Sequence, residues 1–272
     1  MAQDTLQSLA AEFPDTDRTL PAVFVGHGSP MNAIEDNSFS AAWRELGRSL
    51  PRPKAILCIS AHWVTRGPQV TAMERPETIH DFGGFPQELF AMQYPAPGSP
   101  ALAEFTRQTL GTESVRLAKD WGLDHGAWSV LARMYPEADV PVVQLSLDGT
   151  RPPEWHYALG GQLQALRRKG ILIVGSGNVV HNLRLISWED NHAFDWAKEF
   201  DDTVERLILA RDHQPLIHYE TLGQSARLAI PTNEHYLPLL YILALQGAQE
   251  PVRFYCEGVT MGSLAMRCVQ IG

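Results

Sequence analysis

Short, wholly apolar runs alternate with amphipathic stretches along this chain. Ala22-Val-Phe-Val-Gly26, Ala55-Ile-Leu-Cys-Ile-Ser60 and Ile171-Leu-Ile-Val-Gly175 are rich in β-branched side chains. Runs of this length and composition read as strands covered on both faces of a parallel sheet. Val70–Met73 and Pro141–Ser146 read as further strands, and Val252–Cys256 and Ala265–Val269 as closing ones. Between them the pattern predicts helices. Asp36-Asn37-Ser38 caps Phe39–Leu50, which Pro51 and Pro53 stop, and Ser99-Pro100 opens a helix ending near Gly111. Others are expected over Ala127–Met134, Pro153–Lys169 (closed by Gly170), Ala193–Arg211 and Leu216–Ala226. A last helix opens at Pro231-Thr-Asn-Glu-His235, with Pro238 in its first turn, where a missing N–H matters least.

Strands alternating with helices imply an α/β fold. The expectation is a single domain with a central, mostly parallel or mixed sheet and helices on both faces, spanning residues 21–272. Residues 1–20 are expected to form a loosely ordered N-terminal arm. Glu74–Gly98, rich in Pro, Gly and aromatics, is a long irregular segment and a candidate wall or lid over the sheet edge.

Composition narrows the partners. The net charge of −9 over 272 residues argues against nucleic acid or an anionic membrane, and favours a small ligand. The first twenty residues lack an apolar core for a secretory signal, and Tyr236–Leu245 is too short to span a bilayer. Cys58, Cys256 and Cys268 lack CxxC spacing and read as buried thiols in a reducing compartment. A cytoplasmic protein is expected.

The chemistry lies in the histidines. His27, His62 and His181 each follow one of the three apolar runs, so they are expected at the carboxyl edge of the sheet, where α/β proteins bind ligands. One glycine-flanked histidine is ordinarily a turn residue. Two at the ends of adjacent parallel strands, joined by a third, suggest imidazoles converging on a metal. Glu234-His235 precedes a wholly apolar helical turn, where an unpaired ionisable group is costly, so one of this pair is a further candidate ligand. His125, in a glycine-flanked loop after Asp124, reads either as an acid/base beside the metal or as a loop histidine bonded to Asp124. His80 is a candidate pocket-wall residue, whereas His156, His192, His213 and His218 are expected on the surface. Gly175-Ser-Gly177 begins like a dinucleotide fingerprint, but Val180 stands at the third glycine. HExxH, Walker A and GxSxG motifs are absent.

The segments GHGSPMN, SAHW, TIHDFGGFP, YPAPGSP, WGLDHGAW, VPVVQLSLD, GSGNVVHNL and PTNEHYLPLLY follow one another in this order. From about residue 20 to its end the chain resembles the class III extradiol ring-cleavage dioxygenases of the DOPA 4,5-dioxygenase group. The resemblance implies a mononuclear metal site with His27 and His62 as ligands and His181 and Glu234/His235 at the metal centre. It favours His235 over Glu234, makes His181 a fourth ligand or the base, and puts His125 beside the ligands as an active-site residue. It also implies Fe(II) for activity, with Zn(II) as a competitor for the same donors, and a catechol such as L-DOPA as substrate alongside O2. Two other readings use the same histidines: a zinc-dependent hydrolase of a small amide or ester, and a non-catalytic protein that binds a metal or a phenolic ligand.

Overall fold

The computed structural model describes residues 12–112, 114–189 and 192–272. The strands are β1 (Ala22–Gly26), β2 (Ala55–Thr65), β3 (Gln69–Thr71), β4 (Arg116–Ala118), β5 (Val142–Asp148), β6 (Ile171–Gly177), β7 (Val252–Tyr255), β8 (Val259–Thr260), β9 (Leu264–Ala265) and β10 (Cys268–Ile271). Eight of them form one mixed sheet in the order β4-β3-β5-β2-β6-β1-β10-β7, and β8 and β9 pair separately. The four central strands, β5, β2, β6 and β1, run parallel, while β3 and β10 join antiparallel to β5 and β1. The single α/β domain with a mixed sheet is the expected fold.

The helices are α1 (Ser38–Ser49), α2 (Gln87–Ala91), α3 (Pro100–Leu110), α4 (His125–Met134), α5 (Pro153–Gln162), α6 (Gln164–Arg167), α7 (Asp195–Leu209), α8 (Gln214–Ile217), α9 (Gln224–Ala229) and α10 (Leu237–Leu243). Side chains alternate across the sheet, so each apolar strand feeds two cores. Leu57, Ile59, Val143 and Ile173 face α5, α7 and α10, meeting Leu159, Phe200, Val204 and Leu240. Ile56, Cys58, Leu172 and Val174 face α1 and α4, meeting Trp43, Leu46, Trp128 and Leu131. This double coverage is why the strands read as continuous apolar runs.

Several expected boundaries move, each for a local reason. β2 does not stop at Ser60. It continues through Thr65, and its pairing with β5 jumps from Ile59↔Leu145 to Val64↔Leu147, leaving Ser60 to Trp63 bulged against Ser146. The stretch expected as one helix over Leu216–Ala226 is α8, a 3-10 turn at Tyr219–Leu222, and α9, because Gly223 adopts φ +95° and breaks the run. The helix expected to Lys169 is split at Leu163 into α5 and α6. The closing strand expected at Ala265–Val269 is divided between β9 and β10.

Residues 1–11 of the expected arm lie outside the described residues. Within residues 12–20, Phe13 and Leu20 are buried and the residues between them are mostly exposed: the Phe13 ring stacks on Phe105 at 5.9 Å, and Leu20 N–H donates to Arg167 O at 3.0 Å. Cys58 and Cys268 are buried thiols as expected, and Cys256 is half-buried. His156 is fully buried, not exposed. Its Nδ1 lies 3.0 Å from the Tyr241 hydroxyl and its Nε2 3.2 Å from Asp148 O, because α5 packs closely on α10 at Gly160. Among the described residues, no helix is long and apolar enough to cross a membrane.

Candidate metal centre at the carboxyl edge of the sheet

The parallel register fixes where the histidines emerge. Gly26 pairs with Gly177 and Ser60 with Ser176, so the pairings of β1 and β2 with β6 end within one residue of each other, and β2 runs on beyond them. His27 continues β1 by one residue, its N–H donating to Gly177 O at 3.0 Å. His62 stands in the β2 bulge, beyond the last β2–β6 pair. His235 arrives from the turn before α10, its carbonyl accepting from Asn178 N–H at 2.8 Å. A Cβ on Gly177 would sit 2.1 Å from that carbonyl oxygen, so the close approach requires glycine.

These elements bring His27, His62, His125, His181 and His235 together. The ring centroids of His27 lie 5.0 Å from His62, 5.3 Å from His235 and 5.7 Å from His125. His62 and His125 are 3.9 Å apart. One ligating atom each from His27, His62 and His235 falls within 4.8 Å of the other two.

The surrounding hydrogen bonds state which nitrogens are free. The Ser176 hydroxyl donates its one proton to Gly126 O, since a carbonyl only accepts. Its oxygen, 2.9 Å from His27 Nδ1, therefore accepts from that nitrogen and leaves a lone pair on His27 Nε2. Glu234 Oε1 lies 3.2 Å from His235 Nδ1, which favours the proton at Nδ1 and a lone pair at Nε2. Asp81 Oδ2 lies 3.3 Å from His62 Nδ1 as a charge-pair contact. The Nε2 atoms of His27 and His62 sit 3.1 Å apart, at hydrogen-bond distance. Such an approach is repulsive without a proton or cation between them. With metal–nitrogen bonds of about 2.1 Å, ligands 90–109° apart are separated by about 3.0–3.4 Å, so this donor set fits one divalent ion.

The protonation tendencies agree. Burial, reinforced by neighbouring imidazoles, pushes His27 and His235 well below the usual histidine range. Burial also pushes His62 and His181 down to about 4. The neutral forms that ligate metal are thus the resting forms.

His181 differs from the other three. Its ring stacks flat on His235, with centroids 3.5 Å apart and planes within 4°. One ligand atom each of His181, Glu234 and His235 falls within 4.8 Å of the other two, a second donor set that shares His235 with the first. Glu234 also accepts from the Thr232 hydroxyl at 2.8 Å.

Sequence patterning missed two supports of the site. Asp81, from the Glu74–Gly98 segment, reaches both His62 and His125, its Oδ1 lying 3.0 Å from His125 Nδ1, off the hydrogen-bond axis. The same oxygen accepts from the His125 backbone N–H at 2.9 Å. Asp124 does not bond the His125 ring. It caps α4 through Ala127 N–H, accepts from Ser60 Oγ at 2.6 Å and accepts from Gln144 Nε2 at 2.7 Å. Neither aspartate stands in a periodic pattern, and the HDFGG and LDHG segments were the available signal.

The Glu74–Gly98 segment packs behind His125. Phe82 meets the His125 ring edge-on at 5.5 Å, and His80 lies 5.6 Å from Trp128. Two clefts flank the histidines. One, of about 270 Å³, is lined by His62, Trp63, Gln69 and Trp121. The other, of about 620 Å³, lies between Val64, Leu147, Tyr219 and Glu234.

A mixed α/β sheet with buried histidines gathered at its carboxyl edge defines a fold and a candidate metal centre, and comparison specifies the class. Residues 21–265 match the family described as the catalytic LigB subunit of aromatic ring-opening dioxygenase, and the chain belongs to that family. It is 52% identical to 4,5-DOPA dioxygenase extradiol of Escherichia coli (strain K12), over 93% of this chain and 95% of the relative. It is 41% identical to the protein of that name from Beta vulgaris, over 85% and 88% of the two chains. A crystal structure of an Escherichia coli K12 protein superposes with a TM-score of 0.82 at 48% identity, covering 93% of this chain and all of that one. The chain is an enzyme of the ring-opening dioxygenase class. The hydrolase and binding-only readings use the same histidines, and the family match favours the ring-opening class over both.

Proposed function

We propose that the chain opens the ring of a catechol, L-DOPA or a close relative, with O2 at a mononuclear Fe(II) site held by His27, His62 and His235. The observation that carries this reading is the convergence of these three side chains, with the Nδ1 hydrogen bonds of His27 and His235 leaving their Nε2 atoms free and His62 Nε2 3.1 Å from that of His27. The substrate class comes from the relatives named 4,5-DOPA dioxygenase extradiol. Glu234 acts by orienting His235 rather than by binding the metal. Fe(II), when bound, supplies Lewis acidity toward the catechol oxygens and redox capacity toward O2, whereas Zn(II) supplies only the first.

The remaining residues handle protons and water. His181, neutral and stacked beside a ligand, offers a lone pair to a catechol hydroxyl and later returns the proton. His125, seated against the Asp81 carboxylate, stands on the opposite side of the cluster, next to His62. Phe82 and the other rings of its segment close the space behind His125 and exclude water there. The cleft ending at Glu234 has room for a ring bearing a side chain.

Oxygen-electrode traces of protein loaded anaerobically with Fe(II), against a panel of catechols, test the reading. The expected result is O2 uptake with appearance of a yellow semialdehyde, and none with the Zn(II) form. An Fe(II)-loaded protein that consumes no O2 with any catechol refutes it.

A further inference from the structure

A separate set of donors meets on the far side of the His62 ring. Asp81 Oδ2 lies 3.3 Å from His62 Nδ1, and Asp81 Oδ1 lies 3.0 Å from His125 Nδ1. One ligand atom from each of these three residues falls within 4.8 Å of the other two. His62 and Asp81 face each other as a charge pair. His125 is more than nine-tenths buried, and its Nδ1 has no hydrogen-bond partner among the described residues. The carboxylate is held in place by the His125 backbone N–H, which donates to Oδ1 at 2.9 Å.

The proton on His62 explains why these atoms call for a cation. His27 Nε2 carries a lone pair, so the 3.1 Å approach of His62 Nε2 is a hydrogen bond only with His62 donating. A neutral imidazole has one N–H and one lone pair. Without an ion, His62 therefore keeps its proton at Nε2 and turns the lone pair of Nδ1 toward the Asp81 carboxylate. A lone pair and an anionic oxygen repel unless a positive charge stands between them. The two separations, 3.0 and 3.3 Å, suit neighbouring ligands of one ion, for which bonds of about 2.1 Å at 90–109° give about 3.0–3.4 Å. Neighbouring ligands aim at the ion and not at each other, which accounts for the missing hydrogen-bond alignment at His125 Nδ1.

We propose that His62 Nδ1, Asp81 and His125 Nδ1 form a second site for a divalent cation of the Zn²⁺ type, distinct from the His27–His62–His235 set and sharing His62 with it. Two imidazoles and a carboxylate are donors that such ions accept. His62 also lines the cleft of about 270 Å³, which gives the ion a way in. While His62 keeps one proton it serves one ion at a time, through Nε2 or through Nδ1, so the two sites compete. The outer site stands on these contacts and not on the ring-opening reaction; a protein that consumes no O2 would leave it intact.

His235 belongs to both other three-donor groups found among the described residues, so His235→Ala leaves only this one. Zn²⁺ binding is read by competition with a chromophoric chelator, and its position by anomalous diffraction at the zinc edge. The expected result is that H235A still binds Zn²⁺, with the anomalous peak among His62, Asp81 and His125, and that this binding is lost in the double variant H235A/D81A. Folded H235A that binds no Zn²⁺, a peak elsewhere only, or binding that survives D81A overturns the proposal. A proton joining the three groups in place of a cation would give the first of these outcomes. Should H235A not fold, His27→Ala takes its place under the same diffraction reading: a peak at the three side chains supports the site, and none there defeats it.

Discussion

The proposed division of labour among the histidines rests on what each ring touches. His27 has Nδ1 engaged by Ser176, and His235 has Nδ1 engaged by Glu234, so both present Nε2. His181 lies flat on His235, with a ring nitrogen within 4.8 Å of a Glu234 carboxylate oxygen. A proton-handling role for His181 gives a clean expectation. His181→Ala retains metal, measured by elemental analysis of the purified protein, while kcat falls by roughly 10²–10⁴-fold, the usual range for a lost acid/base. Metal loss on that substitution would make it a ligand. The positions of His27, His62 and His235 were legible because an apolar run or an apolar helical turn flanks each. Asp81 was not, since its contacts form only when an irregular segment folds back over α4. His156 was read as exposed because its helix is polar in sequence. Its burial depends on Gly160, which admits the Tyr241 backbone.

At the scale of elements, Asp124 joins three of them: it caps α4, accepts from Ser60 on β2 and accepts from Gln144 on β5. This junction sets the spacing between His62 and His125, and it has little slack. A Cβ on Gly126 would lie 2.5 Å from Ser60 Oγ and 2.9 Å from His62 Cδ2. Asp124→Ala loses a helix cap, which costs about 0.5–2 kcal/mol, and strands buried polar partners at about 1–3 kcal/mol each. A net destabilisation of about 2–4 kcal/mol is expected in urea denaturation, with weakened metal binding. A loss below about 0.5 kcal/mol, the ordinary range for surface substitutions, would show that the junction carries no load. The bulge that extends β2 past Ser60 was invisible to apolar patterning. Patterning reads burial, whereas the bulge is a matter of pairing with β5.

Across the whole molecule, gathering buried neutral imidazoles makes stability depend on pH. His62, His181 and the distant His156 are each held near 4, against about 6.5 in an unfolded chain. The unfolded state therefore binds more protons between those values, and stability rises with pH through that window. The contribution is complete above about pH 6.5 and is lost as pH falls toward 4. At pH 5 each such group costs on the order of 1–2 kcal/mol. Thermal unfolding of metal-free protein is expected at a Tm more than about 5 °C lower at pH 5 than at pH 7.5. Equal Tm values would mean that these imidazoles titrate normally. The parallel central strands and both helical layers were legible from alternating apolar and amphipathic segments. The antiparallel β10 and β7 edge was less so, because short closing strands carry little pattern of their own.

The proposed ligand set reaches from residue 27 to residue 235, and its last member is fastened by its own carbonyl to the end of β6. During biosynthesis, the first two imidazoles leave the ribosome long before the third. A nascent chain thus offers an incoming ion only an incomplete grip until α10 has emerged and docked. Capture of the metal is accordingly a late event, coupled to closure of the finished domain, and shortened chains ending before α10 are expected to go without it.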